Sequence, residues 1–276
     1  VKVSGSVQAM VWCPCPMFAV IIMAGAVYLS SWVNSIAPEP YMDEIFHIPQ
    51  AQAYLEGSIR QYDPMITTPP ALYVVGAALA AIPTHVFHYD AVCVFRGVNV
   101  LLHSLCLLLL LRWLRPHNHA AYALYFLPPW YFFSYLYYTD ILSCLLVLSA
   151  VVAACEAHQQ NDAATLRLSA LAAGLAVTVR QTNVVWALFA MCFYTLLAVR
   201  AMTAADLQSQ PLPKVVLDSV QVVFTQCWAF VLVGLSFIVF VYLNGGIVLG
   251  DKSNHQSCLH MAQMVYFFAF YASFAP

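Results

Sequence analysis

At 276 residues, 63% hydrophobic and only 8% charged, with a mean hydropathy of +0.78, the chain has the composition of a polytopic membrane protein. It carries more long apolar runs than a soluble core of this size would use. A formal net charge of −2 supplies no basic stripe to neutralise phosphates, which argues against nucleic acid as a partner.

The first span is predicted over about residues 17–36, since a crossing helix needs about 20 apolar residues. Lys2 with this run resembles a signal peptide, but the run is long and is followed by Trp32, which suits an uncleaved anchor. Residues 37–92 form a long loop. Within it the pattern from Glu44 to Gly57 predicts a helix with Ile45, Ile48, Tyr54 and Leu55 on one side and Pro49 near its first turn. A 13-residue apolar run, 70–82, lies between Pro69 and Pro83. It is too short for an ordinary span and is read as a helix lying in or dipping into the membrane interface. Further spans are expected at about 92–111, 120–137, 141–155, 166–179, 184–199 and 222–243, with another starting at 261. The polar stretch 202–219 reads as a cytosolic loop, and no short internal repeat is visible.

Basic residues set the orientation. With Lys2 cytosolic and 70–82 not crossing, Arg112, Arg115, Arg167, Arg200 and Lys214 fall in the cytosol. Arg60, Arg96, Arg180 and Lys252 fall at the far side, together with Asp43, Glu44, Glu56, Asp63, Asp140 and Asp251. Cysteines such as Cys106, Cys144 and Cys192 sit in apolar runs and read as small hydrophobes. Cys13 and Cys15 have no histidine partner nearby, and no Asn-x-Ser/Thr acceptor occurs.

Charge is scarce, so the stretch YMDEIFHIPQ from Tyr41 to Gln50, with its adjacent carboxylates Asp43 and Glu44, reads as a site. On the same face fall Thr67 and Thr68 before Pro69, the segment Tyr137 to Asp140, the segment Arg180, Gln181, Thr182, Asn183, and the turn from Asn244 to Asp251. A carboxylate can act as general base on an incoming hydroxyl, and an arginine can neutralise a departing phosphate. That combination suits sugar transfer from a lipid phosphate.

Simpler readings stand beside these. Asp43 can cap the helix that follows it. Asp140 can mark a helix start, and Arg180 can pair with Asp43, Glu44 or Asp140. Arg96, early in its span, reads as structural, snorkelling or paired with a loop acid. His47, four residues past Asp43, can bind sugar or phosphate or be a hydrogen-bonded structural histidine. His85 and His88 have helical spacing but no nearby third ligand, so no metal site is expected. The aromatic cluster 130–138 reads as an interface belt, and Asn244 with its two glycines as a turn.

The stretches 40–52, 63–68, 180–183 and 244–251 closely resemble the dolichyl-phosphate-glucose alpha-1,2-glucosyltransferase family of the endoplasmic reticulum, which adds the last glucose to the dolichol-linked oligosaccharide for N-glycosylation. The resemblance runs from about residue 17 to the end. It implies an all-α, polytopic helix bundle of the type C glycosyltransferase kind, with interface-parallel helices in the first luminal loop, 37–92. Residues 1–276 would then form one transmembrane catalytic domain. Family members are longer, so the resemblance also implies truncation at the C-terminus. Carried onto this chain, Asp43 is the base and Glu44 orients it or the substrate. His47, Gln50, Thr67, Thr68, Asp140, Arg180, Gln181, Asn183 and Asp251 contact substrate. Donor and acceptor would be dolichol-linked, membrane lipid is a further partner, and no cofactor or metal is expected. The other function class compatible with the sequence is a non-catalytic membrane protein that modulates a channel or transporter.

Overall fold

A computed structural model describes residues 16–87, 89–115, 117–202, 210–251 and 260–274. Lys2, Cys13, Cys15, His88 and Lys252 lie outside the described residues, as does the side chain of His85. The described chain is helical: α1 (Pro16–Ile36), α2 (Glu44–Leu55), α3 (Ala71–Phe87), α4 (Ala91–Trp113), α5 (Asn118–Tyr125), α6 (Pro128–Phe133), α7 (Thr139–Gln160), α8 (Ala163–Val179), α9 (Val184–Met202), α10 (Leu212–Thr225), α11 (Trp228–Asn244) and α12 (Met261–Phe274). Among the described residues four helices are long and apolar enough to cross a membrane, α1, α4, α7 and α9 with the turn before it, or five if the bent pair α10 and α11 is one span. The chain is a multi-pass membrane protein.

The most buried of these spans is α4. Along one side it buries Arg96, Asn99 and His103, spaced three and four apart and so on one helix face. Asn99 Nδ2 donates to the carbonyls of Leu136 (2.6 Å) and Tyr138 (3.0 Å). His103 stacks on Tyr125 with ring centroids 4.1 Å apart. The same segment is thus held at two depths.

That segment corrects one expectation. No continuous span occupies 120–137. Pro128 and Pro129 have no N–H to continue a helix, so the run divides into α5 and α6 with a break at Phe126 and Leu127. It still traverses the bundle. α4 and α7 lie side by side and parallel: Asn99, in the first half of α4, meets Tyr138 just before α7, and Arg112 Nη2 meets the Glu156 carboxylate (2.8 Å) near their ends. Residues 114–138 must therefore run back along the length of α4.

α7 and α8 form a tight antiparallel pair. Asn161 turns the chain in a left-handed conformation (φ 51°), and the Asp162 carboxylate caps α8 by accepting from Ala164 and Thr165 N–H at 3.0 Å. Small residues allow the close approach: Ala150, Ala154 and Ala157 bury against Ala170 and Ala173, and Ser169 Oγ donates to the Ala150 carbonyl (2.5 Å). α8 has 17 residues, the lower limit for a span. α1 packs on α4 through Ala26 and Ser30 and leaves Val20, Val27 and Tyr28 exposed.

Three further expectations shift. α2 ends at Leu55 and carries Pro49 inside the helix, beyond its first turn; its buried face is Glu44, His47, Ile48 and Ala51, while Ile45 is 53% exposed. α3 runs through Pro83 to Phe87 instead of stopping before it. The expected 222–243 span begins at Trp228, because α10 bends away by 79° at Gln226 and Cys227. Lys214, Asp218 and Gln221 give α10 a polar side that suits a membrane surface better than its interior. Tyr194 on α9 donates to Gln226 Oε1 (2.7 Å) and pins the bend.

Candidate active site

The adjacent carboxylates of the 41–50 stretch have opposite fates. Glu44 is fully buried. Arg96 Nε donates to both its oxygens (3.0 and 3.2 Å) and Nη2 to Oε2 (2.6 Å). The backbone N–H of Tyr137 (2.7 Å) and of Tyr41 (2.9 Å) complete its shell. Arg96 spends its remaining donors on Asn34 Oδ1 and the carbonyls of Ala37 and Glu39. This is the pairing with a loop acid expected for Arg96. It ties the end of α1, the 37–44 turn, α4 and the approach to α7 into one knot.

Asp43 is exposed and occupies the cap position of α2, but its side chain makes no capping hydrogen bond. The capping reading is therefore corrected: the α2 N-terminus is held by backbone turns to Tyr41 and Met42 and by the Glu44 knot. The Asp43 backbone N–H donates to the Tyr138 hydroxyl at 2.8 Å. Its carboxylate is left for solvent or ligand.

His47 is buried one turn along α2. Its Nδ1 shares a 2.7 Å hydrogen bond with the Tyr73 hydroxyl, and its ring meets that of Tyr138 edge-on at 5.6 Å. Burial pushes its pKa below the ordinary imidazole value; Asp43, Asp140 and Glu44 oppose the shift and Arg180 adds to it. The imidazole thus lies within electrostatic reach of Asp43 and of the Asp140 and Arg180 pair.

Arg180 ends α8 in extended backbone, and its Nη1 donates to Asp140 Oδ1 at 2.5 Å in the first turn of α7. An acidic residue there also complements the helix dipole. Both side chains remain partly open, 39% for Arg180 and 35% for Asp140. This single contact leaves the other edge of the guanidinium fork available to an anion.

The other expected contacts divide. Gln181 Nε2 donates to the Thr67 carbonyl (2.7 Å), joining the 67–70 segment to the end of α8. The Thr68 carbonyl accepts from the Tyr62 hydroxyl. Gln50 faces inward: its Oε1 accepts from Asp63 N–H and its Nε2 donates to the Gln61 carbonyl, both at 2.8 Å. Asn183 Nδ2 is held at 2.8 Å by Ser143 Oγ and the Ala176 carbonyl. Both amides brace the site's frame. Asp251 N–H donates to the Pro64 carbonyl (2.8 Å) and Leu249 N–H to that of Thr67 (3.3 Å), so the 245–251 turn docks on the 63–67 loop. Gly250 makes this possible with a φ of +65°; a Cβ there would lie 2.3 Å from the Pro64 carbonyl oxygen and 2.5 Å from that of Ile66.

Two apolar grooves open beside the Arg180 and Gln181 corner. One, about 550 Å³, runs from Asp140 and Asn183 down α7 between Trp130 and Phe189. The other, about 510 Å³, lies between α8 and α11 beneath Pro70, Gln181 and Leu249. Among the described residues no three His, Cys, Asp or Glu side chains gather as a metal site, and the six described cysteines are free thiols.

Tyr41, Tyr137 and Tyr138 lie in stretches expected at the site but carry no expected role there, and Tyr73 lies outside those stretches. An interface belt accounts for tyrosines near Trp130 well enough, and only the fold brings the Tyr138 hydroxyl to Asp43. Asn99, a lone amide in an apolar run, was the available hint that an irregular segment would need holding there.

The model of the DIE2/ALG10 family matches residues 37–276. A mouse protein named Dol-P-Glc:Glc(2)Man(9)GlcNAc(2)-PP-Dol alpha-1,2-glucosyltransferase is 35% identical over 86% of this chain and 57% of its own length. Proteins of the same name from Homo sapiens (34%, over 84% and 56%) and Arabidopsis thaliana (32%, over 90% and 62%) are similar to it as well. The chain thus spans little more than half the length of these relatives. No solved structure matches it.

Proposed function

The chain belongs to the DIE2/ALG10 family, and from that premise we propose that it is the acid-bearing part of a glucosyltransferase working on dolichol-linked substrates. The donor is dolichyl phosphate glucose, and the acceptor is the dolichol-linked oligosaccharide that already carries two glucoses. The relatives' names support both identities. They also favour this reading over a channel or transporter modulator.

Asp43 takes the proton from the acceptor hydroxyl. That oxygen attacks the anomeric carbon from the face opposite the phosphate, the bond from carbon to phosphate oxygen breaks, and dolichyl phosphate leaves with the electron pair. A β-linked donor yields the α-linked product in one displacement. Arg180 meets the charge developing on the leaving phosphate while Asp140 keeps its fork in place. The phosphate departs without protonation, so the scheme is written with one base and no cofactor. The two apolar grooves offer seats for polyprenyl tails. Arg112, Arg115, Arg200 and Lys214 lie toward the end away from the site, which supports a luminal site in the endoplasmic reticulum membrane, with α2 and α3 as its cover at the interface.

The observation that carries the proposal is the exposed, unengaged Asp43 carboxylate beside a buried neighbour that fixes its backbone. Glucose transfer in microsomes tests it: Asp43→Asn abolishes product while insertion and abundance stay normal. Full transfer by that variant would remove Asp43 as the base.

A further inference from the structure

We propose that Tyr138 is a positioning residue of the transfer reaction, its hydroxyl clamping a strained turn that presents Asp43. The inference rests on the reading of Asp43 as the base and adds a residue that acts through it. Three observations carry it. Met42, immediately before Asp43, holds φ at +53°, the left-handed region that is uncommon for a non-glycine residue and costs strain that its surroundings must hold. The carboxylate of Asp43 makes no bond to cap its helix, so its position is set by its backbone. That backbone is gripped from across the site: the Asp43 N–H donates to the Tyr138 Oη at 2.8 Å, and the same hydroxyl lies 3.5 Å from the Tyr41 carbonyl. The hydroxyl therefore spans both sides of Met42 and closes the turn.

The clamp is itself anchored. Tyr138 follows Tyr137, whose N–H binds Glu44 Oε1 (2.7 Å), and the Tyr138 carbonyl accepts from Asn99 (3.0 Å). The buried knot around Arg96 thus fixes both halves of the contact, the turn and the tyrosine that holds it. The Tyr138 ring also packs on His47 (5.6 Å) and Phe133 (5.2 Å). A phenylalanine keeps those ring contacts and removes the hydroxyl alone.

Tyr138→Phe is the test, with two readouts in the full chain. Amide hydrogen exchange at Asp43 rises at least about ten-fold, as expected when a protecting acceptor is lost, while the amides of Phe46 and His47, bonded to the Asp43 carbonyl, keep their rates. In microsomal transfer kcat falls by roughly ten- to a hundred-fold, the scale of a misplaced reacting group, with the donor KM within about two-fold and abundance normal. Met42→Asn added to Tyr138→Phe recovers part of the lost kcat, because asparagine enters the left-handed region at less cost. Unchanged exchange at Asp43 overturns the clamp. Faster exchange with full kcat overturns its role in the reaction, and so does a rise in donor KM as the whole effect. Full transfer by Asp43→Asn rejects the base instead, and leaves the clamp to be judged by exchange alone.

Discussion

Arg96 pairs with Glu44 where neither side chain reaches solvent, whereas Arg180 pairs with Asp140 where more than a third of each is open, 39% and 35%. Arg96 commits every donor of its fork, to one carboxylate, an asparagine and two carbonyls. Arg180 commits one nitrogen to one oxygen. A buried guanidinium has to be saturated, since each unmet N–H would cost desolvation with no return. A partly open one can keep donors in reserve, because water serves them until a ligand arrives. The same residue types thus build a frame in one place and a receptor for an anion in the other. Asp43 and Glu44, neighbours in sequence, divide along the same line.

The largest expected effect breaks the frame. Arg96→Ala leaves the Glu44 carboxylate buried and unpaired, a loss of about 3–5 kcal/mol. The variant should accumulate poorly and unfold well below the parent in a detergent thermal-shift measurement. Arg96→Met with Glu44→Leu removes both charges and should recover much of that stability. A single variant as stable as the parent would mean that the pair is not the frame it looks to be.

Next comes the docking of the 245–251 turn. Gly250→Ala forces a Cβ against the carbonyl oxygens of Pro64 and Ile66 and a side chain into φ +65°, worth about 1–3 kcal/mol of local strain. The turn should come away from the 63–67 loop and become a protease cleavage site. The loss is local, so thermal unfolding of the bundle should move less than with Arg96→Ala. Equal losses would erase the distinction between frame and edge.

How much of this was legible in the sequence depends on what each feature needs from the fold. Spans such as 17–36 and 184–199 follow from apolar length alone and lie within α1 and α9. The acidic pair stood out because charge is scarce. The resemblance gave its members different roles, but not the burial that separates them, since burial of Glu44 depends on Arg96, 52 residues away, and Tyr138 reaches Asp43 across 95. Apolar periodicity misjudged α2 for a related reason: its buried face is largely polar, chosen by partners on other helices, while Ile45 can stay outside. The run 120–137 was apolar enough to pass for a span, and only Pro128 and Pro129 warned of a break. Pro83 carried the opposite lesson, because α3 continues through it.

His47 sharpens the comparison from between the two pairs. Its hydrogen bond to Tyr73 is worth about 1 kcal/mol, so His47→Gln should cost about that much at pH 7.5. The pH dependence is the more specific readout. With a folded pKa below the ordinary value of about 6.5, the unfolded chain takes up the proton first as pH falls. Stability from this group is complete above that value and is lost as pH drops toward the lowered folded pKa. Between pH 7 and 5 the parent should lose thermal stability faster than His47→Gln. Parallel curves would mean that His47 is not buried in its neutral form.

The smallest expected effect is on the open pair, and it decides what that pair is for. An exposed ion pair contributes only about 0–1 kcal/mol, so Arg180→Ala should leave thermal unfolding and abundance close to those of the parent. Removing the fork should nevertheless raise the donor KM or lower transfer by roughly a hundred-fold, the scale of one lost charge-stabilising donor. Arg180→Lys separates charge from shape: a lysine restores the positive charge beside Asp140 but offers no planar fork to share between a carboxylate and a phosphate. Transfer by Arg180→Lys should stay well below the parent while its stability matches. Should Arg180→Ala instead unfold as readily as Arg96→Ala with little specific loss of transfer, both arginines would be frame, and the anion would have to be met by some other group.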